Sequence, residues 1–394
     1  MTEQPSDPRP AAEVAKLGDI AAAAGLRRVT MLAWRDLDDP EAGGSEVHAA
    51  RVAELWSRAG IEVTMRTSFA AGRPPVIRRD GYRVIRKAGR YMVFPRAAFS
   101  EIMGWHGDAD AIVEIWNGMP FFSPVWSRRP RAIWLHHVHD TMWEMTLPPR
   151  LARLGRTLEF RVAPPLYRRS AVVTLSESSR DEIAKRLRLR DVTVVPPGVD
   201  PVFAPGSEPE DPTPLVVAVG RLVPVKRFHV LIAALTRVRS RFPELRLVIV
   251  GEGYERPALE AEIARLDAAD WVDLPGRVGG ADLVALYRRA WIVASASAHE
   301  GWGMTLTEAA ACGTPAVASR ISGHADAVVD GSTGLLVDGP DGFADAFGRL
   351  LGDDALRQKM GVQARSRAAE LTWGATARGT LEVLAAQVER HRTR

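Results

Sequence analysis

Short apolar runs alternate with longer amphipathic stretches along most of the chain. "RRVTMLAW" (27–34) has the length and β-branched content of a buried strand, and a polar loop, "RDLDDPEAGGSE", follows it. "VHAARVAELWSRAG" then spaces its apolar residues as a helix that stops at Gly60, and "IEVTMRTS" restores the strand pattern. This strand-loop-helix-strand unit recurs more loosely through "ADAIVEIW", "RAIWLHH" and "AVVTLSESSRDEIAKRL", where a strand runs into a Ser-capped helix. Strands that alternate with helices predict an α/β protein with parallel sheets.

A stretch dense in Pro, Gly and acids, "VTVVPPGVDPVFAPGSEPEDPTP" (192–214), interrupts the pattern. The alternation resumes with "LVVAVG", a long helix, "LRLVIVG", another helix, "WVDLPGRV", "WIVASAS" and "PAVAS". The expected architecture is two doubly wound, Rossmann-like domains, 1–205 and 206–394, facing one another across a cleft. Each carries a ligand crevice at the carboxyl ends of its strands. A terminal helix, 372–392, ends the chain and can return to the first domain.

Composition agrees with two folded domains: 394 residues, 46% hydrophobic and 25% charged, with no low-complexity tract. The single cysteine, Cys312, excludes an intrachain disulfide and a Cys-based metal cluster, and its Ala-rich surroundings read as packing. "MTEQPSDPRPAAEVAKLGDI" puts acids and prolines where a secretory leader needs a basic start and an apolar middle. No apolar run approaches the ~20 residues of a membrane span. The expected location is cytoplasmic. Charge changes this picture in one respect, because residues 1–200 hold 30 basic and 24 acidic residues against 22 and 24 in the remainder. In "GRPPVIRRDGYRVIRKAGRYMVFPR" (72–96) and "PPRLARLGRTLEFRVAPPLYRR" (148–169), Arg is interleaved with aromatic and aliphatic residues. That suits a phosphorylated ligand or an anionic membrane surface, hence peripheral contact with the inner membrane face, with a merely solvated face as the plain alternative.

The chemistry concentrates in "HEGWGMTLTEAAACGTP" (299–315), which follows a strand and sits on the ligand side. Its glycine turn lets backbone N–H groups approach an anion at a helix N-terminus, with the helix expected to begin near Thr305. Glu308 fits a Thr305-x-x-Glu capping box, and Gly313 and Pro315 fit the helix end. Capping does not explain Glu300. A carboxylate beside an anion site is better used to accept hydrogen bonds from neutral hydroxyls, and phosphate flanked by hydroxyls means a nucleotide or sugar phosphate. "VVAVGRLVPVKRF" brings Arg221 and Lys226 to the end of that domain's first strand, where they can clamp a diphosphate. "LVIVGEGYER" (247–256) imitates a dinucleotide fingerprint but has Arg256 where the third glycine belongs, which argues against NAD.

In the first domain, Gly43 and Gly44 of "EAGGSEVH" open a helix and permit close backbone approach, while Glu46 complements the helix dipole. "WLHHVHD" places His136, His137 and His139 with Asp140 just past a strand. Strand alternation separates neighbouring side chains and no Cys or Glu stands at ligand spacing, so one histidine facing the cleft is expected rather than a metal site.

These residues, in this order, resemble the retaining glycosyltransferases of family 4, which have the GT-B fold. The resemblance runs from "AGGSE" and "GIEV" through "WLHH", "VVTLSESSRDEI", "VVPPGVD", "VGRLVPVKRF", "LVIVGEG" and "VDLPGRV" to "SAHEGWGMTLTEAAACGTPAVAS" and "GSTGLLV". It implies that Glu300 holds donor-sugar hydroxyls and Glu308 the nucleotide ribose. Arg221 and Lys226 would neutralise the donor diphosphate, helped by the Gly44 amide and the turn Gly301, Trp302, Gly303, Met304 and Thr305. Val278 in "PGRV" would contact the base. His136 aligns with the family histidine near the anomeric centre, with His137 one position away as the alternative. The implied reaction moves a hexose of mannose or glucose type from a GDP- or UDP-sugar to a sugar, lipid-linked or phosphorylated acceptor. It retains anomeric configuration and needs neither metal nor other cofactor. One departure stands out: "SGHADAVVDGSTG" has His324 and Asp326 where many members read Gly-Gly and Glu. A nucleotide-sugar epimerase and a non-catalytic nucleotide-sugar or glycan binder are the rival readings, and the diphosphate clamp argues against a glycan binder.

Overall fold

The computed structural model describes residues 9–105 and 107–393. By contacts the chain forms two units, one running to Gly198 and joined by Thr372 onward, the other Val199–Leu371. The reading of residues 1–20 as leader-free falls partly on residues 1–8, which lie outside the described residues. From Arg9 to Ala24 the chain is a helix. Among the described residues no helix is long and apolar enough to cross a membrane.

The first unit is built on an eight-stranded sheet. Its strands are β1 (Arg28–Leu32), β2 (Glu62–Thr67), β3 (Val76–Arg79), β4 (Tyr82–Arg86), β5 (Ala111–Ile115), β6 (Arg131–Trp134), β7 (Ala171–Thr174) and β8 (Val192–Val194). They lie in the order β3-β4-β2-β1-β5-β6-β7-β8, all parallel except the β3/β4 pair. Every residue of β5 and β7 is buried, as expected where helices cover both faces. The order reverses between β1 and β5, so the loops leaving those strands open a crevice.

The β3/β4 hairpin is a correction to the all-parallel expectation. Asp80 and Gly81 both have positive φ, 47° and 91°, as a tight two-residue hairpin turn requires. The hairpin also changes what the arginines of 72–96 do. Arg86 is fully buried and donates to Asp36, Arg79 pairs with Asp36 at 3.1 Å, and Arg90 reaches Glu41 at 3.1 Å. Three of that stretch's eight basic residues are therefore spent on the protein's own carboxylates.

The terminal helix, Trp373–Arg392, belongs to the first unit and packs on the helix Arg9–Ala24. The indole of Trp56 donates to the Ala377 carbonyl at 2.9 Å, Thr376 donates to the Pro196 carbonyl, and Arg378 pairs with Glu13. The sequence boundary at 205/206 compares with a contact boundary at Gly198/Val199.

The second unit holds a six-stranded, fully parallel sheet. Its strands are β9 (Leu215–Val219), β10 (Arg246–Val250), β11 (Val272–Gly276), β12 (Ile292–Ser295), β13 (Ala316–Ser319) and β14 (Gly334–Val337), in the order β11-β10-β9-β12-β13-β14. The order reverses between β9 and β12, and the loops that follow these two strands carry the residues discussed next.

Candidate functional site

In the second unit, β9 ends at Val219 and leads through Gly220 and Arg221 into a 3-10 turn, Pro224–Lys226. Gly220 matters here, because a Cβ on it would lie 3.2 Å from Cε of Lys226, along the path of that side chain. Lys226 reaches across the switch point and donates to Oε1 of Glu300, in the loop after β12. Arg227, in a left-handed conformation at φ 48°, donates to the carbonyls of Ala296 at 2.7 Å and Ser297 at 3.4 Å. These bonds tie the two loops together, and the Val225 carbonyl adds one from the Ala298 amide at 2.8 Å.

Glu300 also accepts a hydrogen bond from Ser297 Oγ at 2.8 Å. Burial by itself would raise its pKa, but the Lys226 charge, His324 and the two hydrogen bonds outweigh it and hold the carboxyl down at about 2. Behind the carboxylate, Ser297 and Ser295 lie 3.2 Å apart, and Ser295 is 3.3 Å from Nε2 of His324. Nδ1 of His324 faces the Ser319 carbonyl at 3.0 Å, so that nitrogen carries the proton and Nε2 accepts. His324 is fully buried, which pushes its pKa down to about 4 against the pull of Glu300. The residue that departs from the family pattern thus backs the loop that holds Glu300.

The helix of the opening motif runs from Met304 to Cys312, with Gly303 as its N-cap at φ 109° and Gly313 as its C-cap at φ 95°. The capping box expected from Thr305 and Glu308 does not form. Glu308 instead lies 3.3 Å from the hydroxyl of Tyr287, which donates to it. Burial pushes Glu308 up to about 7, opposed by the Tyr287 bond and aided by Asp200. The first amides of this helix have no acceptors within it, as at any helix start. Trp302 is buried, so the turn offers backbone rather than its indole. Cys312 is buried too, which pushes its thiol up to about 11 and makes it inert packing. Val278 follows the edge strand β11 and is half-buried.

The imitation dinucleotide fingerprint has a structural explanation. A Cβ on Gly251 would lie 1.9 Å from the Gly220 carbonyl oxygen, and one on Gly253 would lie 2.2 Å from that of Leu222. Both glycines allow the chain to pack on its own backbone after β9. Arg256 bonds to Glu252 and to the Leu274 carbonyl.

In the first unit, the helix Gly44–Arg58 starts beside the β1/β5 switch point. The Gly43 amide donates to Glu46 at 2.7 Å, so it is used inside the turn rather than offered outward. His136 lies two residues past β6, buried, with Nε2 lacking a partner among the described residues. Burial holds its pKa well below the ordinary value, with His48 and His137 adding to the effect, so the imidazole is neutral. His48 stands edge-on to it with ring centroids 5.0 Å apart, and is itself pushed down to about 3 by burial. Sequence reading missed His48, although its place on the buried face of an amphipathic helix was visible. His137 and His139 stack with ring centroids 4.8 Å apart. Glu159 fixes the loop by accepting from the amides of His139 and Asp140 and from the indole of Trp143. Among the described residues no three His, Cys, Asp or Glu side chains are grouped to hold a metal ion.

Comparison with known proteins matches residues 42–203 to the family described as Glycosyltransferase Family 4 and residues 199–367 to Glycosyl transferases group 1. The D-inositol 3-phosphate glycosyltransferase of Pseudarthrobacter chlorophenolicus is 30% identical over 412 aligned positions, covering 93% of this chain and 97% of that one. The enzyme of the same name from Stackebrandtia nassauensis is 38% identical over 231 residues, 52% of each chain. The chain thus spans about half the length of that relative. Among solved structures, sucrose-phosphate synthase from Thermosynechococcus elongatus superposes with a TM-score of 0.79 at 22% identity, covering 93% of this chain and 99% of that one. Anabaena HepE in complex with UDP and glucose superposes with a TM-score of 0.71 at 19% identity, covering 91% and 100%.

Proposed function

This chain belongs to the family 4 glycosyltransferases of GT-B fold, and from that premise we propose that it moves a hexose of mannose or glucose type from a nucleoside diphosphate sugar to a phosphorylated or lipid-linked acceptor, with retention of configuration. The observation that carries this reading is the Lys226–Glu300 pair at the β9/β12 switch point, beside the N-terminus of the helix Met304–Cys312. Lys226 and Arg221 neutralise the diphosphate, the amides of Met304 and Thr305 add donors, and Glu300 accepts from sugar hydroxyls. Glu308 accepts from the ribose, and the backbone around Val278 meets the base. The bond from the anomeric carbon to the diphosphate oxygen breaks as the acceptor oxygen bonds to the same face. The acceptor's proton passes to the departing phosphate oxygen. Charge that grows on the diphosphate meets cations and helix amides already in place, which favours the transition state over the ground state.

No metal or further cofactor enters this scheme. In the first unit the buried imidazole of His136 stays neutral, a hydrogen-bonding rather than a charged group. UDP and glucose in the HepE complex support a uridine donor, and the name of the inositol phosphate enzymes supports a phosphorylated acceptor.

The direct test is thermal stabilisation of the purified chain, in EDTA, across UDP-, GDP- and ADP-sugars and NAD, since a ligand of the native state raises its apparent stability. One nucleotide sugar should raise Tm, and Glu300→Ala should abolish the effect. A shift with NAD alone would refute the reading, and a shift that needs added Mg²⁺ would refute the metal-free form of it.

Glu308 supplies a pH prediction. Its carboxyl, raised to about 7 in the free protein, is neutral below that pH and ionised above it. Ribose hydroxyls donate to the ionised form, so affinity for the nucleotide sugar should rise by up to about tenfold per unit as pH climbs toward 7, then level off. Glu308→Gln should bind with a flat profile. A flat profile in the wild type would remove Glu308 from the ribose site.

A further inference from the structure

From Pro149 to Tyr167 the chain is helical throughout: α over Pro149–Thr157, π over Leu158–Val162 and α again over Ala163–Tyr167. One side is committed to the protein. Ala152, Gly155, Glu159, Ala163 and Tyr167 are buried, and a Cβ on Gly155 would lie 2.6 Å from the Trp143 ring, so the helix sits too close to turn about its axis. The other side is thereby fixed outward, and it is not the surface expected of a water-facing helix. Leu151 and Leu154 are half exposed, at 50% and 54%, and Val162 and Leu166 follow at 41% each. With the partly buried Leu158 these residues recur every three or four positions, forming an apolar stripe along the helix.

Arg150, Arg153 and Arg161 are exposed beside that stripe, and Arg168 and Arg169 are exposed just past its end. None of these five has a carboxylate within ion-pair distance among the described residues, whereas Arg156, on the flank, pairs with Glu144 and Asp140. The one acid of the segment, Glu159, is turned inward to the histidine loop. In 72–96, by comparison, Arg79, Arg86 and Arg90 are matched by Asp36, Asp38 and Glu41. Apolar exposure continues next door: the short helix Ser123–Trp126 packs against Ala163–Tyr167 and against Val93–Ile102, and Val125, Phe99 and Ile102 are more than half exposed.

We propose that the outward face of residues 149–167 docks on an anionic lipid bilayer. A bilayer surface answers both halves of the pattern at once. Guanidinium groups meet lipid phosphates at the level where the leucines enter the acyl boundary, and long Arg side chains can lie along apolar surface while their heads stay among phosphates. A soluble phosphorylated ligand would leave the leucine stripe in water. The inference goes beyond the transferase reading and does not rest on it, because vesicle binding is measured without turnover.

The full chain should co-sediment with vesicles of phosphatidylcholine containing about a third phosphatidylglycerol and should leave pure phosphatidylcholine vesicles unbound, with binding that weakens as salt is raised. Each arginine near such a surface contributes roughly a fivefold factor in partitioning, so Arg150→Gln/Arg153→Gln/Arg161→Gln should lose about 100-fold. Leu151→Ser/Leu154→Ser, which leaves charge untouched, should lose about tenfold. All five side chains are at the surface, so unchanged Tm confirms that folding is intact. Absence of binding to the anionic vesicles at low salt would overturn the proposal, as would wild-type binding by both variants. Loss in the arginine variant alone, with the wild type released from the vesicles by millimolar inorganic phosphate at constant ionic strength, would make this a site for phosphate in solution. Loss of a dimer in the leucine variant, with no vesicle binding by the wild type, would make the face a contact between copies of the chain. Either result also overturns the bilayer.

Discussion

Lys226→Ala and Glu300→Gln should each fold as the wild type does and lose about 10²-fold or more in transferase turnover. The two changes fail differently. Lys226 is the cation closest to Glu300 and the first of the influences that hold that carboxyl down at about 2 against its own burial. Removing the lysine takes a positive charge from the developing diphosphate and leaves Glu300 without its counter-ion. The expected signature is a fall in kcat. Glu300→Gln keeps the size and one acceptor oxygen but ends the charge-assisted bonds to Lys226 and Ser297. Sugar hydroxyls are then held more weakly, and KM for the donor should rise together with the loss in kcat. Both side chains retain about a fifth of their exposure, so the crevice admits water when the pair is broken and the fold does not depend on it. Steady-state kinetics of the two variants, with Tm as the folding check, decide the matter. Near-wild-type turnover from either one ends the assignment of this crevice to the donor.

How far these features were legible in the sequence depended on how local their causes are. β1, β9 and β10 were plain because strands covered on both faces are written as continuous apolar runs, "RVTML", "LVVAV" and "RLVIV". The two-unit α/β organisation followed from their alternation with helices. The β3/β4 hairpin was hidden by its arginines, although Asp80-Gly81 between two short alternating runs is the usual hairpin signal. Arg86 could not be recognised as internal, because its partners Asp36 and Asp38 are about fifty positions away in sequence and meet it only through sheet pairing.

The site divides in the same way. The loops bearing Lys226 and Glu300 were found because both sit just past strands, where a doubly wound sheet gathers ligands. Adjacency does not say which of the neighbours Lys226 and Arg227 turns inward to tie down the β12 loop. Locally Glu308 fits a cap, and only the resemblance points it to a ribose; its bond to Tyr287 is not legible, since that residue lies 21 residues upstream on another helix and no periodicity links them. In the sequence His324 is legible only as a departure from the family pattern. Its meaning, a buried imidazole supporting the serines behind Glu300, exists only in three dimensions.

The neighbour of His324 carries the other large expected effect: Gly323→Ala should destabilise the second unit and depress turnover at least tenfold in protein that is still folded. Gly323 has φ 85° and ψ −55°, a conformation that an L side chain resists. A Cβ there would lie 2.6 Å from the Glu300 carbonyl oxygen and 2.7 Å from both the Gly301 carbonyl carbon and the Trp302 nitrogen. All three contacts are backbone, so no side chain can swing away to relieve them, and the strand-to-helix turn carrying Glu300 must move. Strain and overpacking together should cost on the order of 3 kcal/mol, and a displacement approaching 1 Å at a positioning group is enough to cost orders of magnitude in rate. Gly313→Ala separates the two causes. That residue has φ 95°, but nothing lies within 4 Å of its added Cβ, so it carries the strain without the collision. Its Tm should fall while its kcat/KM stays near wild type. If Gly323→Ala keeps wild-type kinetics, or if Gly313→Ala loses as much activity, then the close packing of Gly323 under the turn is not what positions Glu300.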